Sequence, residues 1–334
     1  MITAAIRMIA EHLPAGILTN ETIANAFPEW PAEKIEKKLG IRERHIAGPD
    51  EFTSDLAAAA AEKLIVANGL DRNRVDTLIV VTQTPDYLLP STACLVQSLL
   101  HLPQTVAAFD LNLGCSGYVY ALGVAKGFIE SGLSKRLLLI TADTYTKLLD
   151  PADQSVRALF GDGASATLLE GTESDAPCIG PFEFGTDGAS AGDLMARGSA
   201  LKPLATGDQT CLRMRGGEIF AFTMRVVPPA VEAVLAKAGL TLEQIDWVVF
   251  HQANAYMLDY LRQKCRIPAE KFVVSMASTG NTVSSSIPMA LAKAAEKKQF
   301  RDGDRILLVG FGVGASWGAC LITWAPDAGR PATP

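Results

Sequence analysis

The sequence predicts an α/β protein built from two similar halves, and three observations support this. Apolar runs rich in Ile, Leu and Val alternate with helical runs along the chain. The order strand, small-residue turn, helix, strand occurs in both halves. The 334 residues are 49% hydrophobic, which is enough to bury a sizeable core. Such alternation favours a largely parallel sheet covered by helices.

The first half alternates regularly. Its apolar runs at 77–82, 106–111 and 136–141 predict buried strands. The segments between them, 91–100 and 116–131, predict helices, the second long and amphipathic.

The second half repeats the rhythm. Predicted strands lie at 247–251, 271–275, 305–311 and 315–324, and predicted helices lie at 217–238, 254–264 and 285–298. The Pro228-Pro229 pair is expected to kink the first of these helices or to split it.

The division between the halves is placed at 172/173, giving segments 1–172 and 173–334. Residues 170–202 are rich in Gly, Ser, Ala and Asp and are expected to form loop and strand edges. The tail 325–334 carries three prolines and is expected to fray.

Composition excludes several classes of function. A net charge of −6 argues against nucleic-acid binding, which usually needs a basic face. We expect no membrane span, because no run of about 18 apolar residues occurs. The start of the chain lacks the pattern of a signal peptide, so a cytoplasmic location is expected. Six scattered cysteines without a Cys-x-x-Cys pair predict neither a disulfide framework nor a metal site.

Cys115 is the first candidate catalytic residue. It lies in Asp-Leu-Asn-Leu-Gly-Cys-Ser-Gly at 110–117, between a predicted strand and a predicted helix. The helix dipole there favours the thiolate, and backbone N–H groups at the turn can bind an oxyanion. The alternative interpretation is a small buried residue before a helix.

His251 and Asn281 are the second and third candidates. His251 follows a predicted strand, at the end where ligands of open α/β sheets gather. Asn281 lies in Ser-Thr-Gly-Asn-Thr at 278–282, where an ordinary turn or a helix cap would also account for it. A thiol can accept an acyl group, and an imidazole and an amide can stabilise the anion that attacks it.

Two glycine-rich segments are typical of close backbone packing rather than of a nucleotide site. The segment 310–318 leads into a predicted strand rather than a helix, so a dinucleotide fingerprint is not expected. Its glycines favour close backbone approach, including an N–H directed at a carbonyl oxygen. The segment Phe-Gly-Asp-Gly-Ala-Ser-Ala at 160–166 indicates a tight turn without chemistry.

Six segments, taken together, resemble β-ketoacyl-acyl-carrier-protein synthase III and occur in that family's order. They are Gly-Ile-Arg-Glu-Arg-His-Ile at 40–46, Leu-Gly-Cys-Ser-Gly at 113–117, Phe-Gly-Asp-Gly at 160–163, His-Gln-Ala-Asn at 251–254, Gly-Asn-Thr at 280–282 and Phe-Gly-Val-Gly-Ala-Ser-Trp-Gly at 311–318. The resemblance implies a thiolase-like fold, with two similar halves stacked in five layers, αβαβα, and a homodimer. It implies no metal and no cofactor, since the CoA thioester is a substrate.

The resemblance also implies roles in a decarboxylative Claisen condensation. Cys115 would accept the acyl group of an acyl-CoA, while His251 and Asn281 would bind the thioester carbonyl of a malonyl unit as it loses CO₂. The resulting carbanion would attack acyl-Cys115, with the oxyanion held by the backbone N–H groups of Cys115 and Val313. An amide at 281 favours carbon–carbon bond formation, whereas a carboxylate would suit acyl transfer to oxygen.

Substrate contacts follow from the same resemblance. Trp30 matches the tryptophan that stacks on the CoA adenine. Lys38 stands where an arginine often pairs with the CoA phosphates. Gln154 replaces another such arginine, and Arg157 is a nearby substitute.

The pantetheine tunnel is assigned in the same way. Met214, Phe220 and Asn254 match residues that line it, and Phe311 is assigned to substrate binding with them.

Two positions depart from the family pattern. Leu89 replaces a phenylalanine that gates the acyl pocket across the dimer interface, so longer or branched acyl groups are expected to fit. Tyr256 replaces an arginine that docks the carrier protein. Basic residues at 262, 264 and 266 remain for an acidic carrier, although such a helix face is usually only solvated.

The sequence leaves two other functions open. The same scaffold could transfer the acyl group to an alcohol or an amine, or serve as a non-catalytic partner subunit. The sequence does not identify the acyl donor, the pathway, or whether malonyl-CoA or a malonyl-acyl carrier protein is the second substrate.

Overall fold

Two main β-sheets organise the chain, whose computed structural model describes residues 1–202, 204 and 210–325. The described strands are β1 (Ile2–His12), β2 (Gly16–Thr19), β3 (Glu43–Ile46), β4 (Thr77–Val81), β5 (Ala107–Leu111), β6 (Arg136–Asp143), β7 (Gly163–Glu173), β8 (Ile179–Thr186), β9 (Leu194–Ala196), β10 (Leu212–Met214), β11 (Trp247–Phe250), β12 (Arg305–Gly312) and β13 (Ser316–Thr323). The described helices are α1 (Asn20–Ala26), α2 (Ala32–Leu39), α3 (Thr53–Asn68), α4 (Thr92–Leu99), α5 (Gly117–Glu130), α6 (Gln154–Arg157), α7 (Gly216–Ala238), α8 (Ala255–Lys264) and α9 (Ser286–Glu296). The predicted frayed tail lies outside the described residues from 326 onward.

Both main sheets mix parallel and antiparallel strands. The first has the order β1-β7-β6-β4-β5, and the second has the order β11-β12-β13-β8. Strand β4 runs parallel to β5 and β6, and β11 runs parallel to β12, but the remaining pairs are antiparallel. The prediction of a largely parallel sheet is therefore wrong. One reason is that only Val313–Ala315 joins β12 to β13, and so short a connection permits only antiparallel pairing.

The two sheets belong to a five-layer stack. Helices α3 and α4 pack on the outer face of the first sheet, and α7 packs on the outer face of the second. Helices α5 and α9 contact strands of both sheets and form the middle layer, where Tyr118, Leu122 and Leu291 are fully buried. The predicted five-layer α/β arrangement is confirmed.

The chain changes from the first sheet to the second between Glu173, the end of β7, and Ile179, the start of β8. The predicted division at 172/173 stays a prediction, although this change lies close to it. Strand β8 falls within the stretch 170–202 that was expected to be loop and strand edges. It forms the edge of the second sheet, where its Pro181 is tolerated.

Helix α7 runs unbroken through Pro228 and Pro229, so of the two predicted outcomes, a kink or a split, the split is wrong. By length and composition alone it could cross a membrane. Its apolar side chains, including Phe222, Val227 and Val231, are buried in the core on the side of the second sheet. A core helix meets the same length and composition criterion.

The predicted strand at 271–275 is also wrong. A 3₁₀ turn occupies Ala269–Lys271, and a single parallel bridge joins Phe272 to Val248 in β11. The side chain of Gln252 binds the backbone of this segment where a neighbouring strand would otherwise do so. Its Nε2 donates to the carbonyl of Val273 at 3.3 Å, and its Oε1 accepts from the N–H of Ser275 at 2.8 Å. These bonds fix the segment without extending the sheet.

Candidate active site

Cys115 sits at the turn between β5 and α5, as the sequence predicts. The N–H of Gly117 donates to the carbonyl of Gly114 at 2.7 Å, which closes the turn at the first residue of α5. The side chain is buried, with 4% of the residue exposed. The thiol therefore faces the interior at the amino end of the central helix.

The end of β12 approaches Cys115 from the second half. A Cβ built on Gly312, where φ is +154°, would lie 2.8 Å from Cys115 Cβ and 2.9 Å from its Sγ. Only glycine permits this approach. It brings the backbone N–H of Val313 to the sulfur, beside the N–H of Cys115 itself.

The ionisation of Cys115 differs from the prediction. Burial raises the pKa of the thiol to about 12, with a smaller contribution from the charge of Asp143. The N–H groups of Val313 and Cys115 act in the opposite direction but do not outweigh burial. The expectation that this position lowers the pKa of Cys115 is wrong, because desolvation of the sulfur raises it instead.

His251 follows β11 and continues its ladder, since its N–H donates to the carbonyl of Val309 in β12 at 2.8 Å. Its ring meets that of Phe311 edge to face, with centroids 5.6 Å apart. Burial lowers the pKa of the imidazole to about 3, so the ring is neutral at physiological pH. Its Nδ1 lies 2.7 Å from the hydroxyl oxygen of Ser286.

Asn281 is held against the first half of the chain. Its N–H donates to the carbonyl of Leu159 at 2.9 Å, and its carbonyl accepts from the N–H of Gly161 at 3.0 Å. Its Oδ1 accepts from the N–H of Val283 at 2.9 Å, which turns its Nδ2 toward His251 Nε2, 3.4 Å away. The turn predicted at 278–282 therefore also directs an amide into the site.

Cys115, His251 and Asn281 line one narrow cavity of about 90 Å³. The rest of its wall is largely apolar: Leu159, Phe160, Leu194, Met214, Ile219, Met257 and Phe311. The structure thus brings together a thiol, a neutral imidazole and an amide. In so apolar a space, hydrogen bonds from fixed donors act strongly on a developing charge.

An outer pocket of about 560 Å³ continues this cavity toward the surface, and Met214 and Asn254 line both. Trp30, Lys38, Gln154 and Phe220 line the outer pocket, as the resemblance implied for a CoA site. Each of these residues was predicted to bind substrate. All four line one pocket, and their roles in binding stay predictions.

Individual groups in the outer pocket differ in how they are held. Lys38 Nζ lies 5.9 Å from the centre of the Trp30 ring. Asn254 caps α8 through its Oδ1, which accepts from the N–H of Met257 at 2.9 Å. Gln154 Oε1 is buried and has no hydrogen-bond partner among the described residues, which leaves an acceptor for a ligand.

Two predicted residues do not line the site in this chain. Leu89 is 87% exposed and lies away from the cavity. Arg157 donates through Nη1 to the carbonyl of Pro151 at 3.2 Å and does not line the outer pocket. The guanidinium is therefore engaged locally, and the proposed substitution of Arg157 for the missing arginine lacks support.

Two of the three basic residues near Tyr256 are also engaged. Arg262 pairs with Asp259 at 2.7 Å, and Lys264 Nζ donates to the carbonyl of Met224 at 2.8 Å. Tyr256 lines the outer pocket and contacts Phe220, with ring centroids 5.9 Å apart. Aromatic rings therefore contribute more to the mouth of the site than these basic side chains do.

A buried carboxyl group lies behind the site and was missed. Asp143 is fully buried, and its oxygens accept from the N–H of Gln83 at 2.9 Å and from the hydroxyl of Ser284. Burial raises its pKa to about 7. Asp143 ends an apolar strand, much as His251 follows one, and this position in the sequence could have identified it as a candidate.

Ser286 and Met257 were also missed. Met257 follows Asn254 at helical spacing, which could have placed it on the same wall. Ser286 is one of three consecutive serines, and nothing in the sequence distinguishes the one that faces His251.

Comparison with known proteins agrees with this geometry. Family models of 3-oxoacyl-[acyl-carrier-protein] synthase III and of its C-terminal part match residues 109–188 and 235–324. The β-ketoacyl-[acyl-carrier-protein] synthase III of Erythrobacter litoralis is 39% identical over 326 residues, which cover 97% of this chain and 100% of the relative.

Solved structures of related proteins are also similar to this chain in sequence and fold. The crystal structure of a 3-oxoacyl-(acyl-carrier-protein) synthase III has a TM-score of 0.92 and 47% identity, covering 96% of this chain and 100% of that one. The priming β-ketosynthase of the R1128 polyketide pathway has a TM-score of 0.87 and 30% identity, covering 98% and 97%. The resemblance predicted from six short segments is confirmed: this chain belongs to the β-ketoacyl-[acyl-carrier-protein] synthase III family.

Proposed function

We propose that the protein is an acyltransferase that condenses an acyl-CoA with a malonyl thioester by a decarboxylative Claisen reaction. The observation that carries this proposal is the shared cavity of Cys115, His251 and Asn281, in which a nucleophile faces two neutral nitrogen groups 3.4 Å apart. Neutral donors suit an enolate, which gains charge only during the reaction.

The first step transfers the acyl group to the protein. The sulfur of Cys115 attacks the thioester carbonyl, the bond to the CoA sulfur breaks, and the thiol proton ends on the released CoA. The N–H groups of Cys115 and Val313 stabilise the tetrahedral oxyanion. Burial raises the pKa of the Cys115 thiol, so loss of its proton is part of this step.

The second step forms the carbon–carbon bond. The malonyl thioester loses CO₂, and the electron pair of the broken bond becomes an enolate whose oxygen accepts from His251 and Asn281. The enolate carbon attacks the acyl carbon on Cys115, and the sulfur leaves and regains a proton from solvent. The products are a β-ketoacyl thioester and CO₂.

The outer pocket supports a CoA thioester as the acyl donor. Trp30 provides an aromatic face, Lys34 and Lys38 provide positive charge, and Gln154 Oε1 provides an acceptor. Met214 and Asn254 line the passage from there to the inner cavity, where Phe311 packs on His251. This arrangement suits a CoA thioester, with the nucleotide in the outer pocket, the pantetheine arm in the passage and the thioester in the inner cavity.

Several finer points belong to the same proposal. We expect a homodimer, because Tyr87, Leu88 and Leu89 expose an apolar loop that a second copy would cover. We expect a cytoplasmic location, where unpaired cysteines such as those described here persist. Malonyl-acyl carrier protein is the expected second substrate, as the family name indicates, and malonyl-CoA is the alternative.

The pathway is either the initiation of fatty-acid synthesis or a specialised acyl pathway. The similarity to a priming ketosynthase of polyketide synthesis keeps the second option open. A panel of acyl-CoA donors, each scored by the rate of product formation with release of CO₂, would decide which acyl groups the protein accepts.

The experiment that tests the proposal is mass spectrometry of the protein after exposure to acyl-CoA. An acyl adduct on the peptide that contains Cys115, lost on addition of a malonyl thioester with release of CO₂, is expected. An adduct that moves to an alcohol or amine without CO₂ would indicate the alternative acyltransferase. No adduct with any donor would indicate a non-catalytic subunit.

A further inference from the structure

We propose that Ser286 is a positioning residue that fixes the tautomer of His251, so that Nε2 rather than Nδ1 carries the ring proton. The proposal rests on the proposed function, because it names what prepares His251 for the condensation step. Nothing in the sequence separates Ser286 from the two serines before it.

The first support is the hydrogen bond itself. Ser286 Oγ and His251 Nδ1 are 2.7 Å apart, and each residue is only 2% exposed, so this bond is shielded from bulk solvent. A hydroxyl can donate one proton and also accept, whereas each nitrogen of a neutral imidazole does only one of the two. The direction of this bond therefore decides the tautomer.

The second support is the partner on the other side of the hydroxyl. The backbone N–H of Gln252 donates to Ser286 Oγ at 3.4 Å. Ser286 Oγ thus accepts one hydrogen bond from the backbone, and its own hydroxyl proton is available to donate to His251 Nδ1. The Gln252 side chain is anchored as well, since its Nε2 donates to the carbonyl of Phe250 at 2.7 Å. The backbone that orients the hydroxyl is thus held in place.

The consequence lies at the opposite nitrogen. When Nδ1 accepts from Ser286, Nε2 carries the proton and faces the cavity beside Asn281 Nδ2. Two donors then converge on one oxygen of the substrate. In the other tautomer Nε2 would accept from Asn281 Nδ2, so His251 would offer no donor and would occupy one of the two N–H donors of Asn281. Because burial keeps the ring neutral, the tautomer decides how many donors the site offers.

The first test compares Ser286→Ala with the matched control Ser285→Ala. Ser285 is equally buried, and its hydroxyl donates to the carbonyl of Thr141 at 3.0 Å without contacting His251. We expect Ser286→Ala to lower the rate of condensation roughly ten- to hundredfold. Loss of the group that hydrogen-bonds to a metal-bound histidine has an effect of this size in other proteins. Acylation of Cys115, measured by mass, should change by less than about twofold, because it does not use His251 as a donor. Ser285→Ala should keep both rates.

The second test observes the ring directly. The ¹⁵N chemical shifts of the imidazole distinguish a protonated from an unprotonated nitrogen, and His251→Ala identifies the signal among the four histidines. We expect the wild-type protein to have Nε2 protonated, and Ser286→Ala to lose this preference.

Three results would overturn the proposal: Nδ1 protonated in the wild-type protein, an unchanged condensation rate in Ser286→Ala, or equal loss of acylation and condensation in that variant. If the wild-type protein neither forms an adduct nor releases CO₂, the proposed function fails instead. The ¹⁵N shifts still report the tautomer in that case.

Discussion

The inner cavity and the outer pocket differ in how their residues are held. Cys115, His251 and Asn281 are each less than 5% exposed, and backbone hydrogen bonds or a close glycine contact fix each one. At the outer pocket Tyr256 is 54% exposed, and Gln154 Oε1 has no described partner. The proposed chemistry therefore lies where many contacts hold the side chains, and the proposed recognition lies where fewer contacts hold them.

The departures from the family pattern follow this division. Lys38, Gln154 and Tyr256 all line the outer pocket, and Leu89 lies on the surface. The three candidate catalytic residues match the pattern. Substitutions in the two regions should accordingly affect different steps, the inner ones the rate of reaction and the outer ones the choice of substrate.

Cys115→Ser should have the largest effect. A hydroxyl without an adjacent base is a poor nucleophile, so condensation should fall by on the order of 10³-fold or more. Product formation measured with saturating acyl-CoA checks this. The exposed Cys94 provides the control, because Cys94→Ser removes a thiol outside the cavity and should keep full activity.

Asn281→Asp should follow. The carboxylate keeps the shape of the amide but repels an enolate, and loss of one such donor elsewhere costs roughly 10²–10³-fold in rate. Condensation should therefore fall by that factor while Cys115 still takes an acyl group. Loss of acylation to the same extent would mean that Asn281 supports the fold rather than the second step.

Asp143→Asn should change the pH dependence of stability. The folded pKa of Asp143 is raised from 3.8 to about 7, so between these values the folded state binds more protons than the unfolded state. Its contribution is therefore present below about pH 4 and is lost as pH rises through 7. Wild-type free energy of unfolding should fall relative to the variant by about 2 kcal/mol between pH 5 and pH 7.

Denaturant unfolding of both proteins at the two pH values measures this difference. Parallel behaviour of Asp143→Asn and the wild-type protein would contradict the raised pKa of Asp143.

Leu89→Phe should narrow the acyl range toward short chains if a second copy carries residue 89 into the site. A change of a few carbon atoms in an apolar pocket alters discrimination by roughly ten- to hundredfold. The ratio of kcat/KM for long and short acyl-CoA donors measures this. An unchanged ratio would show that Leu89 is not a gate.

Tyr256→Arg should have the smallest effect. A positive charge at the rim should raise kcat/KM for an acidic malonyl-acyl carrier protein a few-fold, and more so at low salt. The same variant with malonyl-CoA is the control and should change less. An equal change with both substrates would place Tyr256 in thioester binding rather than in carrier docking.

The sequence predicted elements best where its signals are local. The strand, turn and helix around Cys115 follow from an apolar run, Gly114 and a helical pattern, and the structure differs there by at most one residue at each boundary. Strand β1 was missed, and the segment at 271–275 was assigned wrongly, because pairing with β7 and bonding to Gln252 join residues distant in sequence. Such contacts leave no local signal.

The candidate site shows the same limit. Residue types and motifs identified Cys115, His251 and Asn281, but not the sign of the shift in the pKa of Cys115. That sign depends on burial by Gly312 and Phe311 from the other half of the chain. The partner of His251 Nδ1 likewise became identifiable only when α9 was placed against β11.

The central claim is that one cavity joins acyl transfer to decarboxylation, and a single turnover tests it most directly. Protein carrying one acyl group on Cys115 would be mixed with malonyl thioester labelled in its free carboxyl group. We predict one labelled CO₂ for each acyl group that leaves Cys115, with both acyl units in the product. Departure of the acyl group without labelled CO₂ would contradict the account.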